Sequence, residues 1–121
     1  TIDNTAPSVS ISSPQTDATL SGIASIKGLA NDTNFNYWQL YYGQGTNPAS
    51  WTTLVGTTYS PLVPDVFGQP PVIYNWNTAG RTNGAYVLRL LATDHAGNVI
   101  DARVPVTLYN VAINNAQVSE Y

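Results

Sequence analysis

The run Tyr86-Val87-Leu88-Arg89-Leu90-Leu91-Ala92-Thr93-Asp94, the turn His95-Ala96-Gly97-Asn98 and the run Val99 to Tyr109 together decide the fold class. Successive side chains of an extended chain point to opposite faces. Tyr86, Leu88, Leu90 and Ala92 therefore share one face, and Val87, Arg89, Leu91 and Thr93 the other. In the second run Ala102, Val104, Val106 and Leu108 alternate with Asp101, Arg103, Pro105 and Thr107. Two alternating runs joined by a short Gly-Asn turn predict a hairpin. Pro105 has no N–H to give a ladder, so its nitrogen is expected at an open edge or a bulge.

The same period recurs upstream. Val9 and Ile11 alternate with Ser8, Ser10 and Ser12, and Pro14 ends that strand. Residues 15–21 are polar and read as a turn. In residues 22–30, Ala24, Ile26, Gly28 and Ala30 are placed inward, because Lys27 on the other face then reaches water. Residues 35–43 set Trp38, Leu40 and Tyr42 against Tyr37, Gln39 and Tyr41. Trp51 to Val55 reads as a fourth strand, and Val72 to Trp76 as another, with Val72, Tyr74 and Trp76 on one side. Residues 56–71 carry Pro61, Pro64, Pro70 and Pro71 and read as a long irregular loop. The outcome is about seven short strands with turn chemistry between them and no helical period, which predicts an antiparallel β-sandwich. The expected organisation is a linker over residues 1–7, one domain over 8–109 and a tail or linker over 110–121.

Composition narrows the function classes. The 121 residues are 43% hydrophobic and 9% charged, with a formal net charge of −3. No basic run offers a nucleic-acid surface. No apolar run approaches the ~18 residues of a membrane span, so no membrane insertion is expected. Without cysteine there is no disulfide, thiolate metal site or cysteine nucleophile. With no methionine, this sequence is expected to start inside a longer chain or after processing. A Cys-free, Lys-poor chain rich in Thr and Asn is expected to be bacterial and extracellular.

Several segments also resemble a bacterial immunoglobulin-like, fibronectin type III-like module. They are D-N-T-A-P at 3–7, S-P at 13–14, L-S-G at 20–22, G-x-A-x-D at 28–32, the run from Trp38 to Trp51, and N-G-A-Y-V-L-R-L-L-A-T-D-H-A-G-N at 83–98. The resemblance covers residues 3 to 110, and its most specific part ends in A-T-D-H-A-G-N. It implies an immunoglobulin-like sandwich that recurs along secreted or surface-anchored proteins, in adhesins and beside secreted hydrolases, as a non-catalytic spacer or binding module. The implied partners are neighbouring domains of the same protein or further copies of this one. Some relatives hold calcium at domain junctions through aspartates like Asp3.

Three groups of residues invite a chemical reading. Asp94 and Asn98 bracket the tight turn. The plain expectation is that Asp94 accepts backbone N–H groups there. The alternative is a structural calcium site of Asp94, Asn98, Asp32 and Asp3, since a sandwich gathers such loops at one end. The aromatic set supplies a second group: Trp38 and Tyr42 belong to the core, while Tyr37, Tyr41 and Trp51 form a candidate platform for a glycan. His95, the single histidine, sits at a hairpin tip with no nucleophile motif beside it, so no enzyme activity is expected. The expected function is a structural or interaction module at the cell surface or outside the cell. The alternative is a carbohydrate-binding accessory module of a secreted enzyme or adhesin.

Overall fold

Alternating apolar residues, broken every few positions by Pro, Gly or Asn, fold here into eight strands. The computed structural model describes residues 8–110. The strands are β1 (Ser8–Ser13), β2 (Ala18–Leu20), β3 (Ile23–Asn31), β4 (Phe35–Gln44), β5 (Thr52–Thr58), β6 (Val72–Asn77), β7 (Gly84–Asp94) and β8 (Val99–Leu108). No helix occurs among the described residues. One sheet runs β1-β3-β6 and the other β2-β8-β7-β4-β5. A single core lies between them. Ile26 and Ala30 of β3 and Trp76 of β6 meet Trp38, Leu40 and Tyr42 of β4, Tyr86, Leu88, Leu90 and Ala92 of β7, and Val104, Val106 and Leu108 of β8. The two layers each bury one face and wet the other, as antiparallel sheets commonly do.

The expected hairpin is present, with Arg89 opposite Arg103 and Leu91 opposite Asp101. The inward sets of β3, β4, β7 and β8 face the core as their alternation predicts. Pro105 also follows its chemistry. Its carbonyl accepts the Asp17 N–H at 2.7 Å, and a strand residue turns its nitrogen and carbonyl to the same side. The prolyl nitrogen therefore faces away from β7, just before β2 begins to pair at Ala18↔Val106.

Four expectations are corrected. The strand count is eight, because Ala18–Leu20, read as part of a polar turn, pairs with Val106 to Leu108. That pairing is parallel, so the sandwich is not wholly antiparallel. Parallel pairing requires a distant return of the chain, and three residues carry no period to announce it. In β6, Trp76 is 2% exposed while Val72 is 49% exposed, so Val72, Tyr74 and Trp76 do not share a buried side. The register steps from Ile26↔Tyr74 to Lys27↔Val72, which leaves Ile73 as an extra residue. This bulge re-aims the strand and packs Ile73 against the core in place of Val72. The fourth strand spans Thr52–Thr58, so Trp51 precedes it and part of the expected loop belongs to it.

Polar staples close the pole where β7 begins. Tyr86 donates its hydroxyl to the Thr82 carbonyl at 2.7 Å. Asn110 accepts the Gly22 N–H at 2.8 Å and donates its amide to the Thr78 carbonyl at 3.0 Å. Thr78 is fully buried, and its hydroxyl donates to the Gly22 carbonyl at 2.7 Å. The chain leaving β8 is thereby tied to the loops that precede β3 and β7.

Candidate functional site

The outer face of the five-stranded sheet gathers two of the chain's four basic residues and one of its three tryptophans. Strand register aligns Thr53, Tyr41, Arg89 and Arg103 in one row across β5, β4, β7 and β8. Leu40, Leu88, Leu90 and Val104 face the core, so this row faces outward by alternation. Asp101 stands one same-face position along β8. Its Oδ2 accepts Arg89 Nε at 2.8 Å and Arg103 Nε at 2.8 Å. Burial pushes the Asp101 carboxyl up, but the hydrogen bonds from Arg103 and Arg89, with their charges, together outweigh it and hold the group below the usual carboxylate range.

Trp51 lies against this cluster. The Arg89 guanidinium carbon is 5.4 Å and that of Arg103 5.2 Å from the indole centroid, both within cation–π range. A missing side chain helps to place the loop that delivers Trp51. A Cβ on Gly43 would come within 2.4 Å of Pro48 Cβ, so only glycine leaves room for Pro48 over β4. Trp51 is half-buried, as is Tyr41.

The sequence-predicted aromatic platform is thus brought together in part. Tyr41 and Trp51 share the cationic region. Tyr37 is on the same face four residues up β4, about 13 Å along the strand. It makes an edge contact with Tyr59, with ring centroids 6.2 Å apart. The guanidinium pair escaped the sequence reading, although its signal was present. Arg89 and Arg103 are equidistant from Ala96 at the centre of the hairpin turn, so they must face each other once the hairpin forms.

Asp32, Asp94 and Asn98 of the calcium reading occupy the opposite pole from the staples. Asp94 is buried, and its Oδ1 accepts the Ala96 N–H at 2.9 Å and the Asn98 N–H at 2.8 Å. Its Oδ2 accepts Asn98 Nδ2 at 2.9 Å. Asp94 therefore carries the turn, as expected of an Asx residue. Asp32 Oδ2 accepts the Asn34 N–H at 3.4 Å, and the Asn34 carbonyl accepts the His95 N–H at 2.9 Å, which sets the two loops side by side. Asp3 lies outside the described residues. Among the described residues no three of His, Cys, Asp or Glu form a group that could hold a metal.

A polar cleft of about 320 Å³ opens where β7 begins, lined by residues that include Tyr42, Gln44, Ser50, Arg81 and Tyr86. Arg81 covers the Tyr42 ring at 4.6 Å, and Tyr42, Trp76 and Tyr86 pack with centroids 5.2 to 6.1 Å apart. The cleft is the mouth of this aromatic cluster.

No protein-family model and no curated protein matches the chain. Solved structures do share its fold. An X-ray structure of the endo-beta-1,4-mannanase from Thermotoga petrophila superposes over 89% of this chain with a TM-score of 0.61 at 10% identity. The crystal structure of an engineered protein superposes over 85% with a TM-score of 0.55 at 21% identity. The chain spans 21% of the length of the mannanase chain and 20% of that of the engineered one. At these identities the likeness concerns the fold.

Proposed function

We propose that the chain is an immunoglobulin-like module that acts without turnover, as a rigid spacer or attachment unit of a longer protein outside the cell or on its surface. The observation that carries this reading is the placement of the chain's entry and exit. Ser8 pairs with Asn31 at the pole of the Asp32 loop, whereas Asn110 is held against Gly22, Thr78 and Asn83 at the other. An eleven-residue strand such as β7 separates the poles by about 33 Å. Neighbours attached at the two ends are held that far apart by a body tied together across both sheets.

Two features support the immunoglobulin-like assignment. The short β2 leaves the first sheet and joins the last strand of the second. The Tyr86 hydroxyl bond to a backbone carbonyl four residues upstream resembles the tyrosine corner of such sandwiches. The fold also occurs within a mannanase chain about four times as long, which fits an accessory position. Residues 8 and 107, changed to cysteine in a chain that has none, take a spin-label pair for distance measurement. One narrow distribution near the pole-to-pole length is expected, and a broad or short one overturns the spacer reading. Release of reducing sugar from β-1,4-mannan by the purified domain would overturn the non-catalytic one.

A second reading, carbohydrate binding, is favoured by one observation. Trp51 and Tyr41 lie half-buried on one outward face beside polar side chains, an arrangement suited to stacking on a sugar ring.

A further inference from the structure

We infer that the Trp51 face binds an acidic glycan, with a uronic acid carboxylate held by Arg103 and Arg89 and the sugar ring against Trp51. The inference rests on the carbohydrate-binding reading and adds the charge of the ligand. A chain with a net charge of −3 and four basic residues places two of them directly opposite each other on one face. Like charges in that relation repel and weaken a sheet. Asp101 offsets only one of the two charges. It also engages both guanidinium groups through Nε alone. The Nη1 and Nη2 donors of each remain, and neither arginine makes another hydrogen bond or ion pair among the described residues.

The end-on Nη pair of a guanidinium is the fork that receives a carboxylate bidentately. The Arg103 side chain is 49% exposed and supplies the accessible fork, while Arg89 at 24% lies deeper and adds its charge. Trp51, within 5.4 Å of both guanidinium carbons, sets an apolar surface next to the anion site. Tyr41 and Thr53 continue the row with hydroxyl groups. An anion joined to a ring with one apolar face and several hydroxyl groups meets each of these features, and a uronic acid residue is such a ligand. A peptide carboxylate has the charge without the stacking ring.

The test titrates the purified domain with a hexamer of α-1,4-linked galacturonic acid, its methyl ester and a poly-glutamate of matched charge. Tryptophan emission and calorimetry are followed together. Trp38 and Trp76 are buried in the core, so an emission change on binding reports Trp51 and should vanish in Trp51→Phe. Saturable binding of the acid hexamer is expected, weakened at least about tenfold by esterification, by raised salt and by Arg103→Gln. Arg81→Gln, whose cation covers the core-facing Tyr42 ring rather than the outward row, should bind as the parent does. Melting curves confirm that each variant is folded. Equal binding of the acid and the ester overturns the acidic assignment and leaves carbohydrate binding standing. Binding of neither sugar overturns both. Equal binding of poly-glutamate, or an Arg103→Gln variant of unchanged affinity, overturns the inference.

Discussion

Arg89 and Arg103 face each other across β7 and β8 and share one acceptor, Asp101 Oδ2, each through its Nε at 2.8 Å. Removing the carboxylate leaves two adjacent cations with no counter-charge between them. Asp101→Asn should therefore destabilise the domain at neutral pH, by about 1–2 kcal/mol. The dependence on pH follows from the sign of the shift. The Asp101 carboxyl titrates lower in the folded chain than its ordinary 3.8. Its contribution is complete above that value and is lost as the pH falls through the folded one. Thermal midpoints of the parent and Asp101→Asn should differ most above pH 5 and converge in stronger acid. A gap that stays constant down to pH 2 contradicts the pairing.

The approach of β1 to β3 depends on one missing methyl group. A Cβ on Gly28 would lie 2.5 Å from the Ser10 carbonyl oxygen and 2.9 Å from Ile73 Cδ1. Gly28→Ala must push β1 outward, and about 1–3 kcal/mol of stability should be lost in denaturant titration. Gly56→Ala is the control, since nothing lies within 4 Å of its Cβ position. A change within about 0.5 kcal/mol is expected there. Equal losses at the two positions would refute the steric account.

The hydroxyl of Tyr86 ties β7 to the loop before it. Tyr86→Phe keeps the ring among Tyr42 and Trp76 and removes the single bond to the Thr82 carbonyl. A loss of about 0.5–1.5 kcal/mol is expected. Amide exchange should speed up in residues 79–83 while the Leu88 and Leu90 amides stay protected. Uniform acceleration across β7 would show that the bond does not act locally.

Asn110 clasps three separate segments through one side chain and its backbone. Asn110→Ala leaves the Gly22 N–H and the Thr78 carbonyl without these partners, beside a fully buried Thr78. The cost should be about 1–3 kcal/mol. Asn110→Asp keeps the acceptor for Gly22 but sets a carboxylate oxygen against the Thr78 carbonyl, so at neutral pH it should cost at least as much as Ala. A neutral Asn110→Ala would mean that the clasp adds nothing to the hold on the exiting chain.

The hairpin of β7 and β8 was legible because its turn is four residues long and its alternation extends well beyond the turn. The same holds for the inward faces of β3 and β4, where Lys27 and the outward tyrosines fix the parity. Parity alone failed at β6, where the extra residue at Ile73 shifts the phase. Nothing local marks that bulge, because it answers to the register of β3. The Ala18–Leu20 strand was missed for the same reason. Its partner lies about ninety residues away in the chain.

The candidate face divides in the same way. Tyr41 was recognisable as an outward aromatic and Trp51 as a platform candidate, and the turn at Ala96 already implied Arg89 opposite Arg103. That Trp51 lies over that pair depends on Pro48 fitting into the gap at Gly43, a contact between side chains rather than a pattern along the chain.

The alternation of apolar and polar residues by itself determined the strand-rich class, the buried layer of β3, β4, β7 and β8, and the turn held by Asp94. These follow from neighbours in the chain, where an extended backbone fixes side-chain direction two residues at a time. Only the tertiary structure decided the parallel seam of β2 with β8, the bulge at Ile73, the Asn110 clasp and the meeting of Trp51 with two arginines. Each of these depends on segments that become neighbours only when the two sheets close over one core.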